Sequence, residues 1–227
     1  MGSVTEGIVG VVSDIDNTVY CRSPEYFAAG SRRELEGCAS VLGLAFGKFE
    51  PMFKSKQGEI AARTGRKVTV TETVYELGVT PEQWSDLRCV AWQPEKWISS
   101  DREICQLLVE LSQHFVLAFG TNSPIEIGKR TLQAIGIAEV VPQATVFGPE
   151  ILGASKPNPA FHAGIAARLQ LEPENCISIG DREFSDGPPA IAAGYSGAII
   201  VPGSRNELVE VIQQLLEGCV STTGKEK

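Results

Sequence analysis

Two aspartates, Asp14 and Asp16, stand two residues apart, just after an apolar run at residues 8–12. That run is rich in β-branched residues, which is typical of a buried strand in a parallel sheet. Open α/β sheets bind their ligands at the carboxyl ends of such strands. Two neighbouring buried acids are costly unless a cation neutralises them. The pair therefore predicts a metal site in which Asp14 could act as a nucleophile and Asp16 as a proton donor and acceptor.

Thr121 and Asn122 follow a second predicted strand, at residues 115–119, and precede a predicted helix. A hydroxyl group and exposed backbone N–H groups at the start of a helix form a ready anion site. The alternative is that these residues only cap the helix, as Thr or Asn would in any protein. The pair is therefore a candidate phosphate site that needs support from elsewhere.

Lys156 lies in a loop that two prolines stiffen, just before another predicted helix. A fixed ammonium group would neutralise a phosphate and an attacking carboxylate together. The alternative is an ordinary solvated lysine. His162 follows the same loop and could approach the edge of the site, but we predict it on a helix surface.

Asp181 ends a strand predicted over residues 176–179, and Asp186 follows five positions later. Carboxylate oxygens next to Asp14 would suit Mg²⁺. The alternative is a charged loop in which Asp186 caps the next helix. Right-handed crossovers would bring all these strand ends to one edge of the sheet, so their convergence carries more weight than any single cluster.

Strands and helices alternate from about residue 100 onward, whereas the stretch after the first strand is mostly helical. This order predicts an α/β protein with a doubly wound parallel sheet, a Rossmann-like core, and a small, mainly helical cap. We expect the core at 1–20 and 98–220, the cap at 21–97, and a disordered tail at 221–227. Predicted strands lie at 8–16, 115–119, within 140–147, 176–179 and 197–201.

The composition narrows the class of protein. A net charge of −8 argues against nucleic-acid binding, and no apolar stretch approaches the roughly 20 residues that span a bilayer. The 6 cysteines are scattered and no signal peptide is evident, which favours reduced thiols and a cytoplasmic location. We expect no membrane partner and either a monomer or a homodimer.

Taken together, the four clusters resemble the haloacid dehalogenase superfamily of phosphotransferases. The resemblance rests on D-I-D-N-T at 14–18, the apolar strand ending in T-N at 121–122, K-P-N-P at 156–159, and G-D-x-x-x-x-D at 180–186. It covers about residues 6–20 and 100–202. The helical stretch between these parts resembles the cap that many members carry after the first motif.

The resemblance implies a two-step reaction. Asp14 attacks phosphorus and forms an aspartyl-phosphate, while Asp16 protonates the leaving oxygen and then activates water. Thr121 and the backbone around Asn122 would hold the phosphoryl oxygens, and Lys156 would orient Asp14. An acid at position 16 is typical of phosphatases, because members that cleave carbon–halogen bonds release a halide that needs no proton.

The resemblance also implies Mg²⁺ as cofactor, bound by Asp14, the Asp16 carbonyl and Asp181, with Asp186 acting through water. The predicted activity is magnesium-dependent hydrolysis of a small phosphorylated metabolite, such as a nucleotide or sugar phosphate. Two alternatives stay open: a phosphomutase acting on a sugar phosphate, and a catalytically idle binding or regulatory member of the same fold.

Overall fold

A computed structural model describes residues 7–223, with side chains to residue 218. It contains a five-stranded, all-parallel sheet with the strand order β3-β2-β1-β4-β5. The predicted doubly wound α/β, Rossmann-like fold is confirmed. The strands are β1 (Gly10–Ser13), β2 (Val116–Gly120), β3 (Thr145–Phe147), β4 (Cys176–Gly180) and β5 (Gly197–Ile200).

Helices lie between the strands along the chain. They are α1 (Pro24–Val41), α2 (Phe46–Thr64), α3 (Val70–Glu76), α4 (Pro81–Ala91), α5 (Pro94–Trp97), α6 (Arg102–His114), α7 (Ile125–Ile135), α8 (Ile137–Val140), α9 (Pro149–Leu152), α10 (Pro159–Leu169), α11 (Glu183–Asp186), α12 (Pro188–Ala192) and α13 (Arg205–Thr223), with a 3₁₀ turn at Pro173–Asn175.

Strand β1 lies at the centre of the sheet and is covered on both faces. Val11 and Val12 point to opposite sides, because successive side chains of a strand alternate. Val11 packs in one buried cluster with Leu117 and Ile177, and Val12 packs in another with Ala118 and Phe161. Burial on both faces explains why the run at the start of the chain is continuously apolar.

The chain divides into two compact units, one made of residues up to 22 and from 94 onward, the other of residues 23–93. The second unit contains α1 to α4 and has its own buried cluster, which includes Phe49, Val74 and Trp84. Helices α3 and α4 each begin with a capping box, at Thr69 and Thr80, as the threonine-led sequences favour. The role of this second unit as a cap stays a prediction.

Two boundaries differ from those predicted. Strand β1 ends at Ser13 rather than near residue 16, because the chain turns there and Asn17 adopts a left-handed conformation with φ 65°. Helix α13 continues to Thr223, and residues 224–227 of the predicted tail lie outside the described residues. None of the helices within residues 7–223 has the length and apolarity needed to cross a membrane.

Candidate active site

The carboxyl ends of three adjacent strands bring the predicted site residues together. In the sheet, Ser13 of β1 pairs with Phe119 of β2 and with Ile179 of β4. One site residue follows each of these paired positions by one or two residues: Asp14 after Ser13, Thr121 after Phe119, and Asp181 after Ile179. The three therefore lie along one edge of the sheet. The backbone N–H of Asp14 still donates to the Ile179 carbonyl at 2.7 Å, which fixes the start of the first motif.

Lys156 is buried between two carboxylates. Its Nζ lies 2.5 Å from Asp14 Oδ1 and 2.6 Å from Asp186 Oδ1, and the lysine side chain is only 5% exposed. The solvated-lysine alternative is therefore wrong. A buried ammonium group in contact with two acids can hold the Asp14 carboxylate in one orientation.

The surroundings shift the pKa values of both partners upward. Burial raises the pKa of Asp14 to about 6. The Lys156 ammonium group opposes this shift, whereas the negative charges of Asp186 and Asp16 add to it. Burial alone would lower the pKa of Lys156, but the Asp14 and Asp186 carboxylates outweigh it and raise that pKa. Ionic contacts outweigh burial for Lys156, which faces two anions, but not for Asp14, which faces one cation and two further carboxylates.

Asn122 holds the lysine loop in place. Its Oδ1 accepts from the Lys156 backbone N–H at 2.9 Å, and its Nδ2 donates to the Lys156 carbonyl at 2.8 Å. Helix α7 begins at Ile125 after Pro124, so neither Asn122 nor Thr121 stands at its N-cap. Thr121 Oγ1 instead accepts from the Ser123 backbone N–H at 2.9 Å. The side chain of Asn122 thus links the end of β2 to the catalytic lysine candidate.

Asp16 accepts hydrogen bonds from three hydroxyl groups. Tyr20 donates to Oδ1 at 2.9 Å, while Ser123 and Thr121 donate to Oδ2 at 2.9 and 3.3 Å. Tyr20 and Ser123 were not among the predicted site residues. Tyr20 reaches Asp16 because the chain turns tightly, with the N–H of Val19 donating to the Ile15 carbonyl. Its spacing of four residues from Asp16 was the only sequence signal.

The loop after β4 is built around Asp186, which is 2% exposed. Besides Lys156, its carboxylate accepts from Ser185 Oγ at 2.7 Å and from the Arg182 backbone N–H at 3.3 Å. Helix α12 begins after Gly187, so Asp186 does not cap it. A Cβ on Gly180 would lie 2.3 Å from Asp186, so this close packing requires glycine.

The residues fit a divalent cation by their chemistry. Asp181 accepts from Asn17 Nδ2 at 3.1 Å, and Arg182 Nε lies 3.4 Å from its Oδ1. The site's four aspartates outnumber the nearby cationic side chains, and this excess of hard oxygen ligands suits Mg²⁺.

Among the described residues, no three or more His, Cys, Asp or Glu side chains are grouped so as to hold a metal ion. The expected set needs no such group. It would combine the Asp14 and Asp181 carboxylates with the backbone carbonyl of Asp16, and Asp186 would act through water.

His162 is buried, contrary to the prediction that it lies on a helix surface. Only 2% of it is exposed, its ring packs edge-on to Phe161 and Tyr195, and the Tyr195 hydroxyl donates to its carbonyl at 2.9 Å. Burial lowers its pKa to about 4, with Lys156 adding to the effect. The residue belongs to the stripe of α10 that packs on the sheet.

Comparison with known proteins gives a family and a fold. A family model described as haloacid dehalogenase-like hydrolase matches residues 8–194. Comparison with curated proteins gives no match.

Several solved structures share the fold. A HAD phosphatase from Thermococcus onnurineus has a TM-score of 0.54 at 18% identity, covering 86% of both chains. A hydrolase from Pseudomonas syringae has a TM-score of 0.56 at 16% identity, covering 92% of this chain and 90% of that one. The candidate HAD-hydrolase YfnB from Bacillus subtilis, bound to magnesium, has a TM-score of 0.52 at 19% identity, covering 91% and 99%.

Proposed function

We propose that this chain, which belongs to the haloacid dehalogenase-like hydrolase family, is a magnesium-dependent phosphomonoesterase acting on a small phosphorylated metabolite. The observation that carries the proposal is the buried contact of Lys156 Nζ with Asp14 Oδ1 at 2.5 Å. It orients one carboxylate at the sheet edge where ligands bind and keeps it charge-compensated. Asp16, two residues away, supplies the second group that ester hydrolysis needs.

The first step transfers the phosphoryl group to Asp14. A carboxylate oxygen of Asp14 forms a bond to phosphorus as the bond from phosphorus to the ester oxygen breaks. The proton of Asp16 passes to that leaving oxygen, so the products are an alcohol and an aspartyl-phosphate. Lys156 is suited to bind the phosphoryl oxygens, where negative charge is concentrated, and the Thr121 hydroxyl group would bind them by turning away from its 3.3 Å hydrogen bond to Asp16.

The second step restores the enzyme. Asp16, now a carboxylate, takes a proton from water as the water oxygen attacks phosphorus. The bond between phosphorus and Asp14 breaks, which releases inorganic phosphate and returns Asp16 to its acid form. Bound Mg²⁺, held by Asp14, Asp181 and the Asp16 carbonyl, would neutralise phosphoryl charge as a Lewis acid.

Asp16 supports a phosphatase over a dehalogenase within this family. An alkoxide leaving group needs a proton at neutral pH, whereas a halide ion leaves without one. The hydroxyl groups of Tyr20 and Ser123 hold the Asp16 carboxylate at 2.9 Å each, as a proton-transfer group requires. This arrangement would be unnecessary for releasing halide.

A panel of phosphorylated metabolites, assayed for released inorganic phosphate, tests the proposal. We expect turnover with Mg²⁺ on at least one small ester and loss of turnover when a chelator removes the metal. Consumption of a sugar phosphate without phosphate release would instead support a phosphomutase. Absence of turnover on every ester would support a binding or regulatory member and contradict the proposal.

A further inference from the structure

Three side chains from one short segment, residues 17–20, each donate a hydrogen bond to a different aspartate of the site. The segment begins with the last two residues of the first motif, and two residues separate its end from Ser23, where the second structural unit begins. The pairs are Asn17 with Asp181 at 3.1 Å, Thr18 with Asp14 at 3.0 Å, and Tyr20 with Asp16 at 2.9 Å.

Tyr20 is the member of this group that contacts the proposed proton-transfer residue. Its ring is partly buried and packs against the main core cluster, which includes Val11 of β1 and Ile15 of the first motif. A ring held by packing carries its hydroxyl group at a fixed position. The hydroxyl therefore restrains Asp16 through Oδ1, while Ser123 binds the other carboxylate oxygen.

We propose that Tyr20 is a positioning residue for Asp16 that aligns its carboxyl group with the leaving oxygen of the substrate. The inference rests on the proposed function and adds a residue to its proton-transfer step. A phenol hydroxyl group can donate to a carboxylate or accept from a carboxylic acid. Tyr20 can therefore stay hydrogen-bonded to Asp16 in both steps, as acid and as base.

A residue that acts through proton transfer should matter most for esters of weakly acidic alcohols. A dinitrophenolate ion leaves readily without a proton, whereas an alkoxide ion depends on general acid catalysis. The ratio kcat/KM covers binding and the steps through release of the alcohol, so it reports this difference. A residue with only a structural role would change kcat/KM for all esters alike.

The test compares wild type with Tyr20→Phe, which keeps the packed ring and removes only the hydroxyl group. We expect kcat/KM to change less than about twofold on a dinitrophenyl phosphate and to fall about 10- to 100-fold on an alkyl phosphate. The ratio of the two values is measured on one preparation, so it does not depend on the fraction that is folded. An equal loss on both esters, or no loss on either, would overturn the inference.

Two further variants sharpen the test. Tyr75→Phe removes the hydroxyl group of an exposed tyrosine in α3 and should keep the wild-type ratio. In an Asp16→Asn background, Tyr20→Phe should cause no further loss on the alkyl ester, because residues that act through one another are not additive. An undiminished loss in that background would overturn the inference while leaving the proposed function intact. Absence of wild-type turnover on every ester would overturn both.

Discussion

At the scale of single residues, the arrangement depends on one positive charge that two acids share. Lys156 contacts Asp14 and Asp186 at 2.5 and 2.6 Å, and all three side chains are at most 8% exposed. Removing one partner of a buried ion pair leaves an uncompensated charge and commonly costs about 3–5 kcal/mol. Loss of the lysine would therefore destabilise the fold around the site as well as free the Asp14 carboxylate.

His162 gives a prediction about acid stability. Its pKa is lowered from 6.5 to about 4 by burial, so between these values the unfolded chain binds more protons than the folded one. The stability that the neutral ring contributes is complete above pH 6.5 and is lost as pH falls towards 4. We expect acidification from about pH 7 to about pH 5 to cost wild type about 2 kcal/mol more than His162→Leu.

Urea unfolding at both pH values measures this difference, in which titrating groups common to the two proteins largely cancel. His114→Asn is the matched control, because His114 is the other histidine and lies exposed at the end of α6. It should keep the pH dependence of wild type. Equal pH dependence in wild type and His162→Leu would contradict the burial argument.

Residue types and spacing predicted the seven candidate site residues but not the hydrogen bonds between them. Lys156 stands in a polar loop, and only the folded chain shows that β1 and the loop after β4 enclose its ammonium group. Tyr20 and Ser123 carry common hydroxyl groups in ordinary positions, so nothing in their local sequence marks them as partners of Asp16. Side-chain contacts across the sheet edge depend on tertiary packing, which periodicity does not specify.

At the scale of secondary-structure elements, close packing between β4 and the following loop positions Asp186. Gly180 ends β4, and a Cβ there would meet both Cβ and Cγ of Asp186 at 2.3 Å. We expect Gly180→Ala to displace Asp186, and with it Lys156, and to destabilise the protein by about 1–3 kcal/mol. Phosphatase turnover should fall in the same variant.

Gly58→Ala in α2 provides the control for this change. Gly58 lies exposed within a helix, and a Cβ there would have no neighbour within 4 Å. Alanine is favoured over glycine in helices, so this variant should be more stable by about 1 kcal/mol. Urea unfolding and phosphate release measure both variants. Wild-type stability and turnover in Gly180→Ala would show that the loop yields without cost.

The order of elements was predictable because β-branched runs and helical periodicity alternate clearly after residue 100. Their ends were less predictable. The apolar pattern gave no sign that β1 ends at Ser13, since the turn depends on the left-handed conformation of Asn17, which asparagine tolerates better than most residues. The sequence also led us to place His162 on a helix surface. This prediction was wrong because the buried stripe of α10 accommodates a neutral histidine.

At the scale of the whole molecule, charge links metal binding to stability. The chain has a net charge of −8, and four aspartates gather at one sheet edge. A cation that binds only the folded chain should stabilise it, by about 2.7 kcal/mol at a hundredfold excess over its Kd. We expect Mg²⁺ to raise the free energy of unfolding by an amount of this order.

Asp181→Asn should remove most of that gain, because it replaces a proposed ligand. Asp86→Asn removes the same charge from an exposed position in α4 and should keep the gain. Thermal or urea unfolding with and without Mg²⁺ measures both variants. An equal gain in the two variants would indicate that magnesium acts through general charge screening and not through this site.

The central claim is that Asp14 captures phosphorus. Its most direct test is rapid acid quenching during turnover with Mg²⁺, followed by mass spectrometry of the peptides. We expect one phosphoryl group on the peptide that contains Asp14. An Asp14→Asn variant that remains folded should show neither this adduct nor turnover. A phosphoryl group on another residue, or undiminished turnover in Asp14→Asn, would contradict the account.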